Sequence, residues 1–335
     1  MIKEDNCKLD KTNSKKDFPL VSILLAVYKP NETWFAEQLI SLNEQTYENI
    51  ELLVYDDCPD VPADETLIKK YITNFSYTIS KGAKNEGSNK AFEYLSNQGN
   101  GELFAYCDQD DIWEKEKIAL MVNGFVDKDV TLVCSDLSII DANGKRTANS
   151  IRDIRKRFVY KYGNNLAKDI LISNFVTGCA MMVKKDIAKK AIPFEETLIH
   201  DQWIAVISSL NGKIEFIDKP LVRYRQHDFN QTAILKNIYD KKTYYNIKIE
   251  SLLERYNSLL KRLAYNDELK GHINYCITSL KVRKSYFFNP SFRQLKFMIK
   301  YSKFYKLSIL LEIFLPIMPE FVFKYIIKLT KKGIL

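Results

Sequence analysis

The 335-residue chain lacks any uninterrupted run of the roughly 20 apolar residues that a membrane-spanning helix requires. Its most apolar C-terminal stretch, 307–335, is interrupted by Glu312, Pro316, Pro319 and Glu320. The N-terminal residues also lack the apolar core of a secretory signal peptide. Residues 1–17 are instead polar, lysine-rich and without periodicity, so we expect a loose N-terminal arm there.

Cysteine and histidine are scarce, with six and three residues respectively. No two cysteines form a CxxC pair, and none has the spacing to histidine that a zinc site needs. We therefore expect reduced, mostly buried thiols of a cytoplasmic protein rather than disulfides. The first predicted strand is not followed by a glycine-rich phosphate loop, and no GxSxG motif occurs. These absences disfavour a nucleotidyltransferase and a serine nucleophile.

The net charge of +8 is unevenly distributed along the chain. Residues 236–335 contain 20 Lys and Arg against 7 Asp and Glu, whereas the rest of the chain contains 30 against 35. The basic C-terminal third is also rich in Phe, Tyr, Ile and Leu, a mixture that suits an anionic membrane surface better than a nucleic-acid groove. We therefore predict a membrane surface as a partner, and no nucleic acid.

Apolar runs alternate with helical periodicity through the first two thirds of the chain. Residues 20–28 and 50–55 are predicted to be buried strands, with a helix between them. This order predicts a parallel sheet with right-handed crossovers, and further strands are expected at 77–80, 103–107, 130–139, 179–183, 214–217 and 221–224. From residue 239 onward the pattern is helical. We predict an α/β domain over 18–235, followed by a basic helical region over 236–335.

Carboxylates follow two successive predicted strands. Asp57 ends one strand, and Asp108, Asp110 and Asp111 follow another. In open α/β sheets ligands bind at this edge. Three carboxylates within four residues repel one another unless a cation neutralises them, and Mg²⁺ or Mn²⁺ on a diphosphate would do so. The alternative from this motif alone is an ordinary acidic turn.

Several segments together resemble the family-2 glycosyltransferases with the GT-A fold, over about residues 19–227. They are VSILLAVY at 21–28, QTYENIELLVYDD at 45–57, NEG at 85–87, DQDD at 108–111, HD at 200–201 and RYRQH at 223–227. Each segment alone is a weak indication of the family, but their order and spacing together are specific to it. The form Asp-Gln-Asp-Asp-Ile-Trp resembles that of bacterial rhamnosyltransferase-like members, which implies deoxythymidine-diphosphate-rhamnose as the first donor candidate.

The resemblance implies a GT-A fold, which is Rossmann-like with a mostly parallel mixed sheet flanked by helices. It also implies roles for individual residues. The donor nucleotide would be contacted by Ala26, Val27, Tyr28, Asp57, Asn85, Gly87 and Asp108. Asp110 would bind the metal together with Asp108, and Asp111 would line the diphosphate or cleft. The acceptor side would include Trp113, Thr177, Gly178 and His200, although Gly178 could equally be a plain turn.

By the same resemblance, Asp201 is the general base, at the start of a predicted helix. A positioned carboxylate that takes the proton of an acceptor hydroxyl supplies catalysis of about a hundredfold or more. The alternative is that Asp201 only caps the helix.

Three basic side chains alternate along a predicted strand and so point to one face: Arg223, Arg225 and His227. The two guanidinium groups could clamp a diphosphate, and neutral His227 could contact phosphate or bind the metal. The alternative is a solvated edge strand. Family members more often carry Gln-x-x-Arg-Trp nearby, which this sequence lacks.

These observations favour an inverting glycosyltransferase with a dTDP- or UDP-linked sugar donor and a divalent metal. The expected acceptor is a glycan or lipid-linked oligosaccharide of a capsule or O-antigen type of polysaccharide. We expect the protein to be cytoplasmic, peripheral on the inner face of the cell membrane. The two alternatives are a sugar-phosphate nucleotidyltransferase and a non-catalytic, membrane-associated binding module.

Overall fold

The computed structural model describes residues 18–227, 237–301 and 306–331, with side chains omitted at 306–308. Its contacts divide the chain into two units. The first comprises the residues up to Leu166, Phe175–Phe194 and His200–Arg225, and the second comprises Ala167–Asn174, Glu195–Ile199 and the chain from Gln226 onward. The predicted N-terminal arm and the predicted domain boundary after residue 235 both lie outside the described residues.

The strands are β1 (Val21–Val27), β2 (Ile50–Asp56), β3 (Ser76–Lys81), β4 (Leu103–Cys107), β5 (Ile112–Trp113), β6 (Val130–Ile140), β7 (Arg146–Ala148), β8 (Met181–Lys184) and β9 (Lys213–Arg225). The helices up to the end of the sheet are α1 (Glu32–Asn43), α2 (Glu65–Tyr71), α3 (Ser88–Gln98), α4 (Lys117–Asn123), α5 (Ile151–Ile154), α6 (Ala167–Ile172), α7 (Lys185–Lys190) and α8 (His200–Asn211). Of these helices, α6 belongs to the second unit.

The strands form one mixed sheet in the order β3-β2-β1-β4-β8-β6-β9-β5, with β7 paired to β6. β1 pairs in parallel with β2 and β4, and β2 in parallel with β3. β8 is antiparallel to both β4 and β6, whereas β6 and β9 are parallel. The fully buried runs of β4 and β6 explain why the sequence shows continuous apolar stretches instead of alternation.

The two strands predicted at 214–217 and 221–224 are one strand, β9. This prediction was wrong, since the intervening Asp218, Lys219 and Pro220 interrupt the apolar pattern of the sequence but not the strand. In the structure β9 continues through them, and register shifts against β6 near Asp136 accommodate the irregularity. β9 therefore runs the full length of β6 and carries Arg225 to the same edge as the acidic loop.

The second unit is helical beyond residue 240, with α9 (Lys241–Tyr245), a π-helical turn (Asn246–Glu250), α10 (Ser251–Leu263), α11 (Asp267–Phe288), α12 (Phe292–Lys300), α13 (Lys306–Phe314) and α14 (Glu320–Lys331). Its interior contains a buried ion pair between Arg283 and Glu312, to which the Tyr244 hydroxyl also donates. Within the described ranges, no helix has both the length and the apolar character to cross a membrane.

Candidate active site

The acidic loop that follows β4 is joined to the end of β1 by a side-chain amide. The backbone N–H of Tyr28 donates to Gln109 Oε1 at 2.7 Å, and Gln109 Nε2 donates to the carbonyl of Tyr28 at 3.0 Å. Gln109 was not assigned a role from the sequence. Its two bonds fix the loop containing Asp108 and Asp110 beside the predicted nucleotide-binding residues of β1.

Asp108, Asp111 and Cys179 have ligand atoms within 4.8 Å of one another. Asp108 and Asp110 are partly exposed, whereas Asp111 is fully buried. Burial raises the pKa of the Cys179 thiol well above its usual value, so this group is a neutral thiol and a poor ligand for Mg²⁺ or Mn²⁺. Asp108 and Asp110 are the partly exposed carboxylates of this loop, a donor type that suits a hard cation, and their binding of a metal on a diphosphate stays a prediction.

Burial and mutual repulsion destabilise the ionised forms of the carboxylates in this loop. Burial raises the pKa of Asp108 well above its usual value, and the negative charges of Asp111, Asp110 and Asp201 raise it further. Burial and the charge of Asp110 raise the pKa of Asp111 to about 7. A divalent cation would offset this repulsion, so the electrostatics of the loop fit the predicted metal.

Lys117, a residue that sequence reasoning missed, lies fully buried beneath this loop. Its Nζ donates to the carbonyl of Cys179 at 2.6 Å and is 2.9 Å from the ring centroid of Trp113. Burial lowers the pKa of Lys117 to about 7, and the negative charges of Asp111 and Asp108 act in the opposite direction. The available signal was a single lysine at the start of an apolar helix four residues after Trp113.

Asp201 lies in the first turn of α8, where its Oδ2 accepts a hydrogen bond from the backbone N–H of Gly178 at 3.0 Å. The His200 ring packs against Phe92 with a centroid separation of 4.1 Å. Burial lowers the pKa of His200 to about 3, so the imidazole is neutral. A Cβ atom added at Gly178 would lie 2.7 Å from His200 Nε2. Three predicted site residues, Gly178, His200 and Asp201, are thus brought into direct contact.

The predicted nucleotide-binding residues Asp57, Asn85 and Gly87 also come together. The Asp57 carboxylate accepts from the backbone N–H of Glu86 at 2.9 Å and of Gly87 at 2.7 Å. Asn85 Oδ1 accepts from Gly87 N–H at 3.0 Å. The backbone N–H of Asp57 donates to the carbonyl of Val27 at 2.8 Å. This network links the ends of β1 and β2 to the loop that begins α3.

Ala26 and Val27 lie within β1, and Tyr28 follows its end. The side chain of Tyr28 is 41% exposed, that of Ala26 is partly buried and that of Val27 is buried. Tyr28 is therefore the one of these three whose side chain is most open to a ligand.

The two arginines predicted to clamp a diphosphate are bound to protein groups. Arg223 forms a bidentate pair with Glu114, at 2.8 and 3.0 Å. Arg225 is 1% exposed, pairs with Glu37 and donates from Nε to the carbonyl of Asp110 at 2.8 Å. Its backbone N–H donates to Asp111 Oδ1 at 2.9 Å. These contacts favour a role for Arg225 and Asp111 in holding the acidic loop against β9.

Three further predicted residues differ in their exposure and in the unit to which they belong. Trp113 is 2% exposed, and its backbone N–H donates to Ser41 Oγ at 3.0 Å, which favours a structural role. Thr177 is partly exposed and directly precedes Gly178. His227 follows the end of β9 and belongs to the second unit, so its contact with phosphate or metal stays a prediction.

Comparison with known proteins identifies the family. The family described as Glycosyl transferase family 2 matches residues 22–190, which is 169 of the 335 residues. The chain therefore belongs to glycosyl transferase family 2 and is a glycosyltransferase. The family predicted from the sequence is confirmed, and the nucleotidyltransferase and binding-module alternatives are set aside.

Three curated relatives illustrate the range of this similarity. The chain is 28% identical over 240 residues to an uncharacterized glycosyltransferase of Methanocaldococcus jannaschii, covering 69% of this chain and 79% of the relative. It is 25% identical over 285 residues to the dTDP-rhamnosyl transferase RfbG of Shigella flexneri, covering 78% and 93%. It is 26% identical over 205 residues to the UDP-Glc:alpha-D-GlcNAc-diphosphoundecaprenol beta-1,3-glucosyltransferase WfgD of Escherichia coli, covering 57% and 71%.

Solved structures share the fold. TarS 1–349 of S. aureus in complex with UDP-GlcNAc has a TM-score of 0.54 at 17% identity, covering 84% of this chain and 79% of the 1–349 fragment. The mannosyltransferase PcManGT of Pyrobaculum calidifontis, with GDP-Man and Mn²⁺, has a TM-score of 0.50 at 13% identity, covering 90% and 86%. The first unit has the predicted GT-A fold, with a helical C-terminal region following it.

Proposed function

We propose that this glycosyltransferase moves a sugar from a nucleoside-diphosphate donor to an acceptor hydroxyl by direct displacement, with inversion at the anomeric carbon. The observation that carries the proposal is the position of Asp201. Its carboxylate is held by Gly178 N–H at 3.0 Å, and its charge is among those that raise the pKa of Asp108. Both observations support a single site that contains the candidate base and the candidate cation-binding carboxylates.

In this mechanism Asp201 accepts the proton of the acceptor hydroxyl while that oxygen forms the new bond to the anomeric carbon. The bond from this carbon to the diphosphate oxygen breaks at the same time, and the nucleoside diphosphate leaves from the opposite face. Asp108 and Asp110 would hold Mg²⁺ or Mn²⁺, which neutralises charge on the departing diphosphate. The bond between Asp201 and Gly178 keeps the carboxylate oriented, which general-base catalysis requires.

For the donor we propose dTDP-rhamnose as the first candidate and a UDP-linked sugar as the second. The support is the similarity to RfbG, a dTDP-rhamnosyl transferase, over most of the length of both proteins. The loop held by Asp57 at Asn85–Gly87 and the exposed Tyr28 are the proposed nucleotide contacts.

For the acceptor we propose a lipid-linked oligosaccharide precursor of a cell-surface polysaccharide, presented at the inner face of the membrane. WfgD is similar in sequence and is named for a diphosphoundecaprenol-linked acceptor. The excess of 20 basic over 7 acidic residues in 236–335 also supports action beside an anionic surface.

The experiment that tests the mechanism is the Asp201→Asn variant, assayed with dTDP-rhamnose and with UDP-sugars. We expect donor binding to be retained and transfer to fall by about a hundredfold or more, because the amide cannot take the proton. Asp186→Asn is a matched control, since Asp186 is an exposed acid in the first turn of α7. Full turnover by the Asp201→Asn enzyme would remove Asp201 from the mechanism.

A further inference from the structure

The last three helices of the second unit each bury one face. Met298 of α12 and Ile309 of α13 pack with Tyr286 in one apolar cluster. Phe323 and Ile327 of α14 pack with a second cluster that includes Tyr244. The buried residues of each helix lie on one side of it, so the opposite side is available to another surface.

The exposed side of α14 combines aromatic and basic residues. Phe321 and Tyr325 are 74% and 62% exposed, and Lys324 and Lys328 are exposed beside them. The four positions follow the spacing of neighbours on one helix face, whereas Phe323 and Ile327 occupy the buried face. Two large exposed rings on one side of a helix are unusual for a face that contacts only water.

The same pattern occurs on the two preceding helices. On α12, Phe292 and Ile299 are 81% and 59% exposed, with the exposed Lys296 between them. Leu310 of α13 is 59% exposed, and Ile317, in the turn after α13, is 77% exposed. Of the 21 large apolar residues that are exposed in the described part of the chain, seven lie on α12, α13 and α14. The apolar exposure is therefore concentrated in these helices and is not scattered.

The charge of this region has one dominant sign. Residues 289–335 contain nine Lys and Arg against two acids, Glu312 and Glu320. Glu312 is buried in the ion pair with Arg283, and Glu320 accepts a hydrogen bond from the backbone N–H of Lys241 at 3.1 Å. The exposed apolar residues are thus accompanied mainly by positive charge.

We infer that the exposed faces of α12, α13 and α14, which we call the α12–α14 surface, dock in the plane of an anionic lipid bilayer. The rings and aliphatic side chains enter the boundary between headgroups and acyl chains, and the lysines contact anionic headgroups. Charge complementarity favours this occupant. A second copy of the chain would place positive charge against positive charge, and a nucleic acid would leave the apolar side chains without a partner.

The inference is tested with the full chain and sedimented vesicles, either phosphatidylcholine alone or with about one third phosphatidylglycerol. We expect the wild-type protein to bind the anionic vesicles at least about tenfold more tightly than the neutral ones. The variant Phe292→Ser/Phe321→Ser should bind anionic vesicles at least about tenfold more weakly, since two large apolar groups are removed. The variant Lys324→Glu/Lys328→Glu should bind anionic vesicles about fivefold more weakly for each lysine replaced, and this loss of affinity should be smaller at high salt.

Matched controls come from the first unit, where Val61 and Val126 are 60% and 83% exposed. Val61→Ser/Val126→Ser repeats the apolar change, and Lys69→Glu/Lys70→Glu repeats the charge change on an exposed part of α2. Both controls should bind vesicles like the wild type. Thermal unfolding of every variant confirms that it is folded.

Vesicle binding by both test variants within about twofold of the wild type would overturn the inference. An equal loss in the control variants would overturn it too. A dimer that forms without lipid and that dissociates in the Phe292→Ser/Phe321→Ser variant would also overturn the inference, because a second copy of the chain would then cover the surface. Because lipid binding is measured without a sugar donor, its outcome is independent of the proposed catalytic activity.

Discussion

At the scale of single residues, neighbouring acidic residues of one loop have different roles. Asp111 is fully buried and accepts from Arg225 N–H at 2.9 Å, so it fastens the loop to β9. Asp108 and Asp110 keep partial exposure and can reach a ligand. The spacing of acids in the sequence cannot separate these roles, because the partner of Asp111 lies 114 residues away.

Gly178 is the residue where the site has least room for a side chain. An added Cβ would lie 2.7 Å from His200 Nε2 and 3.7 Å from Asp201 Cβ. We expect Gly178→Ala to displace the imidazole of His200 and so to disturb the adjacent Asp201, and to reduce kcat by about tenfold to a hundredfold. Steady-state kinetics, with donor binding measured separately, check this.

Gly271→Ala is the matched control, because the Cβ added there, in the second turn of α11, would meet no other part of the protein within 4 Å. This change should leave kcat unaltered and stabilise the helix by about 1 kcal/mol. Equal kcat values for Gly178→Ala and the wild type would show that Gly178 does not position the base.

Lys117 gives the stability of the protein a predictable dependence on pH. Burial lowers its pKa from 10.5 in the unfolded chain to about 7 in the folded protein. Between these two values the unfolded chain binds a proton that the folded protein lacks, so the free energy of unfolding rises with pH across this window.

In the Lys117→Met variant this contribution is absent. Wild-type stability should therefore increase relative to the variant as the pH rises from 7 to 10.5. Urea denaturation at several pH values measures this difference in the free energy of unfolding, and Lys145→Met, at an exposed position, is the control. A difference that stays constant, or that falls as the pH rises, would contradict this assignment.

At the scale of elements, the site depends on contacts between strand ends. The Asp57 carboxylate after β2 holds the backbone of Glu86 and Gly87 just before α3. Gly87 has a φ of +85°, which a side chain would strain, so the loop needs glycine there. The geometry of the proposed nucleotide contacts therefore depends on one carboxylate that joins two elements.

We expect Asp57→Ala to raise the KM for the donor by about tenfold while kcat changes less, because a released loop weakens ground-state binding. Asp64→Ala is a suitable control, since Asp64 Oδ1 accepts from Thr66 N–H at 2.8 Å and only caps α2. It should cost about 1 kcal/mol of stability and leave the KM unchanged. An unchanged KM in Asp57→Ala would separate this loop from the donor.

Most elements of the first unit could be predicted because their apolar runs are long and end in polar residues. The strand predicted at 103–107 has the bounds of β4, and the strand at 130–139 ends one residue before β6 does. β9 was divided in the prediction because Pro220 favours a turn when only local sequence is considered. Its pairing with β6 outweighs that preference, and pairing cannot be inferred from local sequence.

At the scale of the whole molecule, the family and the fold could be predicted from the order of the motifs, whereas the long-range contacts that hold the site in place could not. Lys117, Gln109 and Arg225 meet their partners across 62, 81 and 115 residues of sequence. Such contacts arise only when the sheet brings distant strand ends together. The second unit could be predicted to be helical and basic, but its division into buried and exposed faces required the structure.

The proposed mechanism requires that Asp108 and Asp110 hold a divalent cation at the edge of the sheet. The most direct test is calorimetric titration of dTDP and of UDP into the full chain, with Mn²⁺ or with a chelator. We predict that at least one nucleotide binds in the presence of Mn²⁺, that chelation weakens this binding at least about tenfold, and that Asp108→Asn/Asp110→Asn weakens it equally while remaining folded. Nucleotide binding of the same strength with chelator and in the double variant would contradict the account.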